Sequence, residues 1–255
     1  MDDRGVLMGA IAIDTSPRKH LAFFEAYIGK KVVMAVTGVM LVGFIIGHLL
    51  GNLLIYLPAA SDGYQTVYPI NYYTGVLHAH PNVLSVVEVS LIAIAVLHIW
   101  SSFLLWLQKR RARPVGYVKK DNVPASYASR TMMWSGPILA AFVVFHLLHL
   151  TMGSVGLHYQ GPMIAGGEER YFTYQNIIYG FRYLPVSISY MVGMILLSMH
   201  LYHGTWSMFQ SLGVSHPRYT PVLKLAAHIF AWVVAIGFIS IPVAVLTGLV
   251  GSEVL

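Results

Sequence analysis

The sequence contains no cysteine in its 255 residues. Disulfide bonds, thiolate-held iron–sulfur clusters and cysteine-ligated zinc are therefore excluded within this chain. Charged residues are also scarce, at 10%, whereas hydrophobic residues make up 56% and the mean hydropathy is +0.65. So few polar side chains cannot cover the surface of a water-soluble globule. The composition indicates an integral membrane protein in which any cofactor is held by residues other than cysteine.

Five apolar stretches are long enough to cross a bilayer as helices. The hydrocarbon core is about 30 Å thick and requires roughly 20 helical residues. Such stretches lie at about 31–57, 83–107, 132–157, 186–212 and 225–250. The sequence therefore predicts a single all-α transmembrane domain over residues 1–255. Short connections favour an up-and-down four-helix bundle of the first four spans, with the fifth span packed beside it.

Lysine and arginine are concentrated before span one, after span two and after span four. These basic residues are Arg4, Arg18, Lys19, Lys30, Lys31, Lys109, Arg110, Arg111, Arg113, Lys119, Lys120, Arg130, Arg218 and Lys224. The alternate loops, 58–82 and 158–185, contain only Arg170 and Arg182. Because basic loops stay in the cytoplasm, the sequence predicts a cytoplasmic N-terminus and an outer C-terminus. The formal charge of +6 is then a topology signal, and we expect no nucleic-acid partner.

Histidines stand out in the predicted spans. Those inside the spans are His48, His98, His146, His149, His200, His203 and His228. Ionisable groups are costly in hydrocarbon, so intramembrane histidines tend to be functional, although a single one is often only a packing residue. The spans contain one acid, Glu88. A zinc or copper transport site is therefore disfavoured, because such sites usually add carboxylate or thiolate ligands.

Two of these histidines have matching depths near the outer side. His48 lies 17 residues after Lys31, and His146 lies 16 residues after Arg130. At the helical rise per residue, both lie roughly 24–26 Å from the cytoplasmic end of their spans. They are therefore candidates for two ligands of one group at one height.

Two further histidines have matching depths closer to the cytoplasm. His98 lies 11 residues before Lys109, and His200 lies 13 residues before Gly213, which is expected to end its helix. Both are then roughly 17–20 Å deep. Haem iron bound by two histidines needs one imidazole on each side at the same height. The four depths thus predict two stacked haems, an outer one between the first pair and an inner one between the second.

Four sequence motifs, taken in order along the chain, resemble a known family. They are FIIGHLLGNLL in span one, LHIW in span two, FHLLHLTMG in span three and HLYHGTWSMFQSLG in span four. Over about residues 27–250 they resemble the single-chain dihaem cytochrome b subunit of succinate:quinone oxidoreductases, which include succinate dehydrogenases and fumarate reductases. The most specific piece is H-x3-G-x8-G, from His200 through Gly204 to Gly213.

The resemblance implies a membrane anchor in the bacterial cytoplasmic membrane. Its expected cofactors are two haem b groups, and its expected electron partner is a quinone, usually menaquinone. An iron–sulfur subunit would dock on the cytoplasmic face, with an FAD-bearing subunit beyond it, and the succinate or fumarate chemistry would occur on that partner. The direction of the reaction, and a higher oligomer of the complex, stay open.

Spans three and four each contain a second histidine three residues after the first. Residues three apart differ by about 4.5 Å in height, so both cannot bind the same iron. The family pattern has its ligand four positions before a glycine, which favours His200 over His203. The resemblance also favours His146 over His149, less strongly. His149 and His203 are then expected to bind propionates, backbone carbonyls or quinone, or merely to pack.

Five residues are secondary candidates. Arg182, at the outer end of span four, is placed to bind propionates of the outer haem or to reach the membrane interface. Lys31 and Arg130 are candidate propionate partners at the cytoplasmic side. Asp62 and Glu88 are competing candidates for a carboxylate that handles quinone protons, as in some relatives of the family.

Two alternative functions remain. The first is a dihaem cytochrome b subunit of another respiratory enzyme, such as a nitrate reductase or a formate dehydrogenase. The second is a metal or proton transporter that uses the histidines as carriers. We expect His78 and His80, in the loop 58–82, to be exposed, and His228 to be structural.

Overall fold

The structure, a computed structural model, describes residues 26–61, 66–112, 127–156 and 172–252. The α-helices in these ranges are α1 Tyr27–Leu53, α2 Pro69–His78, α3 Pro81–Arg111, α4 Tyr127–His146, α5 Thr173–Arg182, α6 Leu184–Ser211 and α7 Thr220–Leu246. The remaining elements are a 3-10 turn at Leu54–Tyr56, a π-helical turn at Leu147–Thr151, and an antiparallel pair of strands, β1 Ala60–Ser61 and β2 Thr66–Val67.

Five helical segments are long and apolar enough to cross a membrane, as the sequence predicted. They are Tyr27–Tyr56, Pro81–Arg111, Thr131–Thr151, Leu184–Ser211 and Thr220–Leu246. The local sequence determines where three of these helices begin. α3, α6 and α7 carry a proline in the first turn, where a backbone N–H would have no acceptor within the helix and its absence costs nothing. Three consecutive basic residues, 109–111, end α3, where cations oppose the negative end of the helix dipole.

The packing order places α1 and α6 at the centre. α6 packs along α7 and also against α4 and α1, whereas α3 packs mainly against α1. Where α1, α6 and α7 meet, the buried side chains are Leu49, Leu201, Ala231 and Val234. Small residues on α7 allow α1 to approach it closely, since a Cβ at Gly237 of α7 would lie 2.8 Å from Cδ1 of Leu49 on α1. α3 and α4 also meet each other, since Nε1 of Trp106 on α3 donates a hydrogen bond of 3.0 Å to Sδ of Met133 on α4.

Two short helices, α2 and α5, cover one end of the bundle, which we call the capped end. α5 buries Tyr174, Ile177, Ile178 and Phe181, at the spacing of one face of an amphipathic helix. The side chains of Asn71 and Gln175 join the two helices through a hydrogen bond of 3.0 Å. Neither helix was predicted from the sequence, which treated 58–82 and 158–185 as loops.

Candidate functional site

The first histidine pair joins α1 to α4. The ring centroids of His48 and His146 are 5.8 Å apart, and the ring planes are inclined at 85°. Phe44 stacks on His48 at 5.2 Å, and Phe142 stacks on His146 at 6.3 Å. Aromatic side chains thus flank each imidazole one helical turn away, which limits the rotation of both rings.

The second histidine pair joins α3 to α6. The ring centroids of His98 and His200 are 6.3 Å apart, and the ring planes are inclined at 62°. The two pairs use four different helices, and each pair joins one of the central helices, α1 or α6, to one of the flanking helices, α4 or α3. The histidines that matched in predicted depth are therefore neighbours in space.

Both separations suit two imidazoles on opposite sides of one metal atom. A metal–imidazole bond is about 2 Å, and a ring nitrogen lies about 1.2 Å from the ring centroid, so the centroids would be about 6.4 Å apart. The inclination of the planes is free, because rotation about a metal–nitrogen bond leaves this separation unchanged. Each pair therefore has the spacing of an axial ligand set.

The number of donors at each pair is also informative. In the described part of the chain, no group of three or more His, Asp or Glu side chains is arranged to hold a metal ion. A zinc site generally requires three or four protein ligands. Haem requires only the two axial ones, because the porphyrin supplies the other four. Two isolated histidine pairs suit haem better than a bare metal ion.

The ring of His98 is held through its Nδ1 atom. Nδ1 lies 3.1 Å from Oγ1 of Thr37 and 3.1 Å from the carbonyl oxygen of Met34, both on α1. Gly38 permits this approach, since a Cβ there would lie 3.4 Å from Cε1 of His98. A hydrogen-bonded Nδ1 leaves Nε2 for metal binding and is the usual arrangement around histidine ligands.

On α6, several buried polar atoms have no hydrogen-bond partner among the described residues. They are Nδ1 of His200, Nδ1 of His203 and Oγ1 of Thr205. An unpaired buried polar group costs about 1–3 kcal/mol. The cost disappears if a bound group coordinates or hydrogen-bonds these atoms. Nε2 of His203 lies 3.4 Å from Oγ of Ser207, one turn later on the same helix.

Open space adjoins several glycines of the spans. A Cβ added at Gly43, Gly47, Gly136 or Gly204 would meet no atom within 4 Å. By contrast, a Cβ at Gly51 would lie 2.8 Å from the ring of Tyr73. Gly51 therefore serves helix packing, whereas no other described part of the chain approaches Gly47, beside His48, or Gly204, one turn from His200. The residues present thus fit haem in donor number and donor spacing.

The second histidine of span three has a different environment from the first. His149 is 0% exposed and lies in the π-helical turn Leu147–Thr151. Its Nδ1 is 2.9 Å from the hydroxyl of Tyr190, which is also 3.3 Å from Nδ1 of His146. His146 is the ring that adjoins His48, and His149 lies behind it in the protein interior.

The secondary candidates are spread over the molecule. Nζ of Lys31 lies 4.7 Å from the ring centroid of Tyr27. Arg182 donates a hydrogen bond of 2.6 Å to the carbonyl oxygen of Gly251. Glu88 is exposed on α3. Asp62 and the side chain of Arg130 lie outside the described residues.

Three other histidines have simple surroundings. His78 and His80 are exposed, as expected. His228 accepts a hydrogen bond of 3.2 Å from Nε1 of Trp232 on its own helix, and its ring contacts that of Tyr202.

Comparisons with protein-family models, curated proteins and solved structures gave no match to this chain.

The sequence reasoning missed two residues that contact the paired histidines, Thr37 and Tyr190. Each is a polar side chain within an otherwise apolar span, and that was the signal available. Polar groups inside membrane helices usually find a partner, so each implied one. The sequence did not show that the partner is a histidine.

Proposed function

We propose that the chain is the membrane-anchor and electron-transfer subunit of a succinate:quinone oxidoreductase, either a succinate dehydrogenase or a fumarate reductase. It exchanges electrons between an iron–sulfur subunit and a quinone, with menaquinone favoured by the resemblance. The observation that carries the proposal is the arrangement of two histidine pairs, at 5.8 and 6.3 Å, on four membrane-spanning helices. The family motifs around the same four histidines support it independently.

The chain's own role is to hold and orient two haem b groups. His48 and His146 are the proposed ligands of the outer group, and His98 and His200 those of the inner group. Bound haem b supplies a one-electron carrier at each site. Thr37 and the Met34 carbonyl orient His98, and Tyr190 contacts His146. The apolar helices exclude water from both sites.

The proposed orientation has the N-terminus in the cytoplasm. Lysine and arginine cluster at the end of the bundle where α3 ends, which supports a cytoplasmic position for that end. Its positive charge suits an acidic soluble partner, proposed to be the iron–sulfur subunit with the FAD-bearing subunit beyond it. The capped end then faces the outside of the bacterial cytoplasmic membrane.

We assign the quinone to a cleft at the capped end. The cleft has a volume of about 510 Å³ and is lined by apolar and tyrosine side chains, among them Tyr56, Tyr68 and Tyr174. That volume lies in the range of ligand pockets. Of the two candidate carboxylates, Asp62 lies outside the described residues, and Glu88 is not among the lining residues. A quinone-site inhibitor should change the spectrum of the haem at His48 and His146, and no change at either haem would contradict this assignment.

The proposed function is tested by purifying the tagged chain from its native membranes in mild detergent. We expect two b-type haems per chain in the reduced-minus-oxidised spectrum, a co-purifying flavin-bearing subunit, and reduction of the haems by succinate. The His228→Ala variant is the control and should retain both haems. Two haems without a flavin-bearing subunit would indicate another respiratory cytochrome b. A spectrum without haem would overturn the proposal and leave the transporter.

A further inference from the structure

Tyr190 of α6 connects the two histidines of span three. Its hydroxyl lies 2.9 Å from Nδ1 of His149 and 3.3 Å from Nδ1 of His146. The tyrosine is 7% exposed, and its ring makes edge contacts with Phe142 at 5.2 Å and Phe181 at 4.8 Å. Because the ring is enclosed by other aromatic rings, the position of its hydroxyl is determined by packing.

The imidazole ring of His149 is enclosed at least as tightly as the ring of Tyr190. A Cβ at Gly156 would lie 2.7 Å from its Cδ2 atom, and a Cβ at Gly180 would lie 2.8 Å from its Cε1 atom. Gly156 also has a φ of +95°, which L side chains rarely adopt. Phe145 stacks on the ring with the planes inclined at 2°. The imidazole therefore occupies a slot that only glycine permits on these two sides.

The direction of the two hydrogen bonds follows from counting protons. A neutral imidazole that binds a metal through Nε2 carries its proton on Nδ1. If His146 is a ligand in this way, its Nδ1–H donates to the oxygen of Tyr190. The single hydroxyl proton of Tyr190 is then donated to Nδ1 of His149. This order assigns a fixed tautomer to both histidines.

We propose that Tyr190 is a positioning residue for His146 and that His149 fixes the direction of the Tyr190 hydroxyl. Tyr190 sets the orientation of the His146 ring and, by accepting a hydrogen bond from its Nδ1–H group, makes the imidazole a stronger electron donor to iron. His149 acts through Tyr190 and is not an iron ligand. This inference rests on the proposed function, since it requires iron at His146.

The second pair has a different partner at the corresponding atom. Nδ1 of His98 is held by a hydroxyl and a backbone carbonyl of α1, without a second histidine behind them. The histidines at the two proposed iron sites therefore have chemically different hydrogen-bond partners at Nδ1. The Tyr190 hydroxyl should therefore affect one haem and leave the other unchanged.

The test is the variant Tyr190→Phe in the whole complex, with Tyr202→Phe as the matched control. Tyr202 lies on the same helix, and its ring contacts His228, which belongs to neither histidine pair. In Tyr190→Phe both haems should remain bound. The midpoint potential of the haem held by His48 and His146 should rise, and the low-spin electron paramagnetic resonance signal of that haem should shift. The other haem, and both haems in Tyr202→Phe, should match the unmodified protein.

A second variant, His149→Leu, keeps the test decisive if Tyr190→Phe does not fold. It removes the acceptor of the Tyr190 hydroxyl and should shift the same haem in the same direction, by less than Tyr190→Phe. Unchanged potentials and signals in these variants would overturn the positioning role while leaving the proposed function intact. Retention of both haems in His146→Ala would instead remove the ligand assignment on which the inference rests.

Discussion

Oγ1 of Thr37 lies 3.1 Å from Nδ1 of His98, although the two residues are 61 positions apart in the chain. The same hydroxyl lies 2.7 Å from the carbonyl oxygen of Val33, one turn earlier on α1. Nδ1 of His98 is also 3.1 Å from the carbonyl oxygen of Met34, which can only accept, so the ring donates from Nδ1, and Thr37 accepts from His98 while donating to Val33. The proton of His98 is thereby placed on Nδ1, and its Nε2 lone pair is available to a metal.

Replacing Thr37 by Val should therefore raise the midpoint potential of the inner haem without releasing it. Valine has the shape of threonine but no acceptor, so the His98 ring keeps only its contact with the Met34 carbonyl. Loss of the hydrogen bond should also lower stability by about 1 kcal/mol. A redox titration that resolves the two haems measures the first effect, and thermal unfolding in detergent measures the second.

Thr247→Val is the matched control for that variant. The Thr247 hydroxyl also donates to carbonyl oxygens of its own helix, Val243 at 2.9 Å and Ala244 at 3.2 Å. Its effect on either haem potential should be nil. Equal potentials in the Thr37 variant and this control would show that Thr37 does not support an iron ligand.

Single alanine variants should reveal the pairing of the four ligands. His98→Ala and His200→Ala should each lose the same spectral component and retain the other, since the two irons use separate helix pairs. His48→Ala and His146→Ala should each lose the second component. Haem content per chain and the reduced-minus-oxidised spectrum measure this. Loss of both haems from every variant, with the protein otherwise folded, would argue for a different pairing.

Alanine variants of His149 and His203 should keep two low-spin haems, with shifted potentials. Neither ring belongs to a pair: His149 lies in its slot behind His146, and His203 contacts Ser207 and Trp206 on its own helix. The measurement is again haem content with the low-spin spectrum. A haem lost from His149→Ala but kept in His146→Ala would show that the ligand of span three lies one turn further along.

Gly180→Ala should destabilise the protein by about 1–3 kcal/mol, the usual cost of overpacking a tight interior. The added methyl group would lie 2.8 Å from Cε1 and 2.9 Å from Nε2 of His149, and Gly156 prevents the ring from retreating. Gly136→Ala is the control, because its Cβ would meet nothing within 4 Å. Thermal unfolding should give a lower midpoint for the first variant only, and equal midpoints would contradict the slot around His149.

The five spans were predictable because membrane crossing is a local property of about twenty apolar residues. The relative heights of the histidines could be estimated from the sequence for a related reason, since the rise per residue is constant along a helix. Landmarks such as Lys31 and Lys109 were enough to match His48 with His146 and His98 with His200. Their adjacency in the structure agrees with that matching.

The short helices at the capped end were not predictable in this way. Each has ten residues, too few for a stable isolated helix, so their stability comes from contacts between distant parts of the chain. Asn71 illustrates this, because its side chain binds both the backbone N–H of Tyr174 and the amide oxygen of Gln175. The amphipathic spacing of Tyr174, Ile177, Ile178 and Phe181 was a local signal for α5, but it did not identify the partner of the helix.

The roles of the two histidines in FVVFHLLHLT also depended on tertiary structure. Sequence spacing specifies how far apart His146 and His149 are along the helix axis, but not the rotation of the helix about that axis. In the folded chain the rotation, together with the π-helical turn, directs His146 towards His48 and His149 towards Gly156 and Gly180. In this orientation, packing against α6 brings both Nδ1 atoms to the hydroxyl of Tyr190.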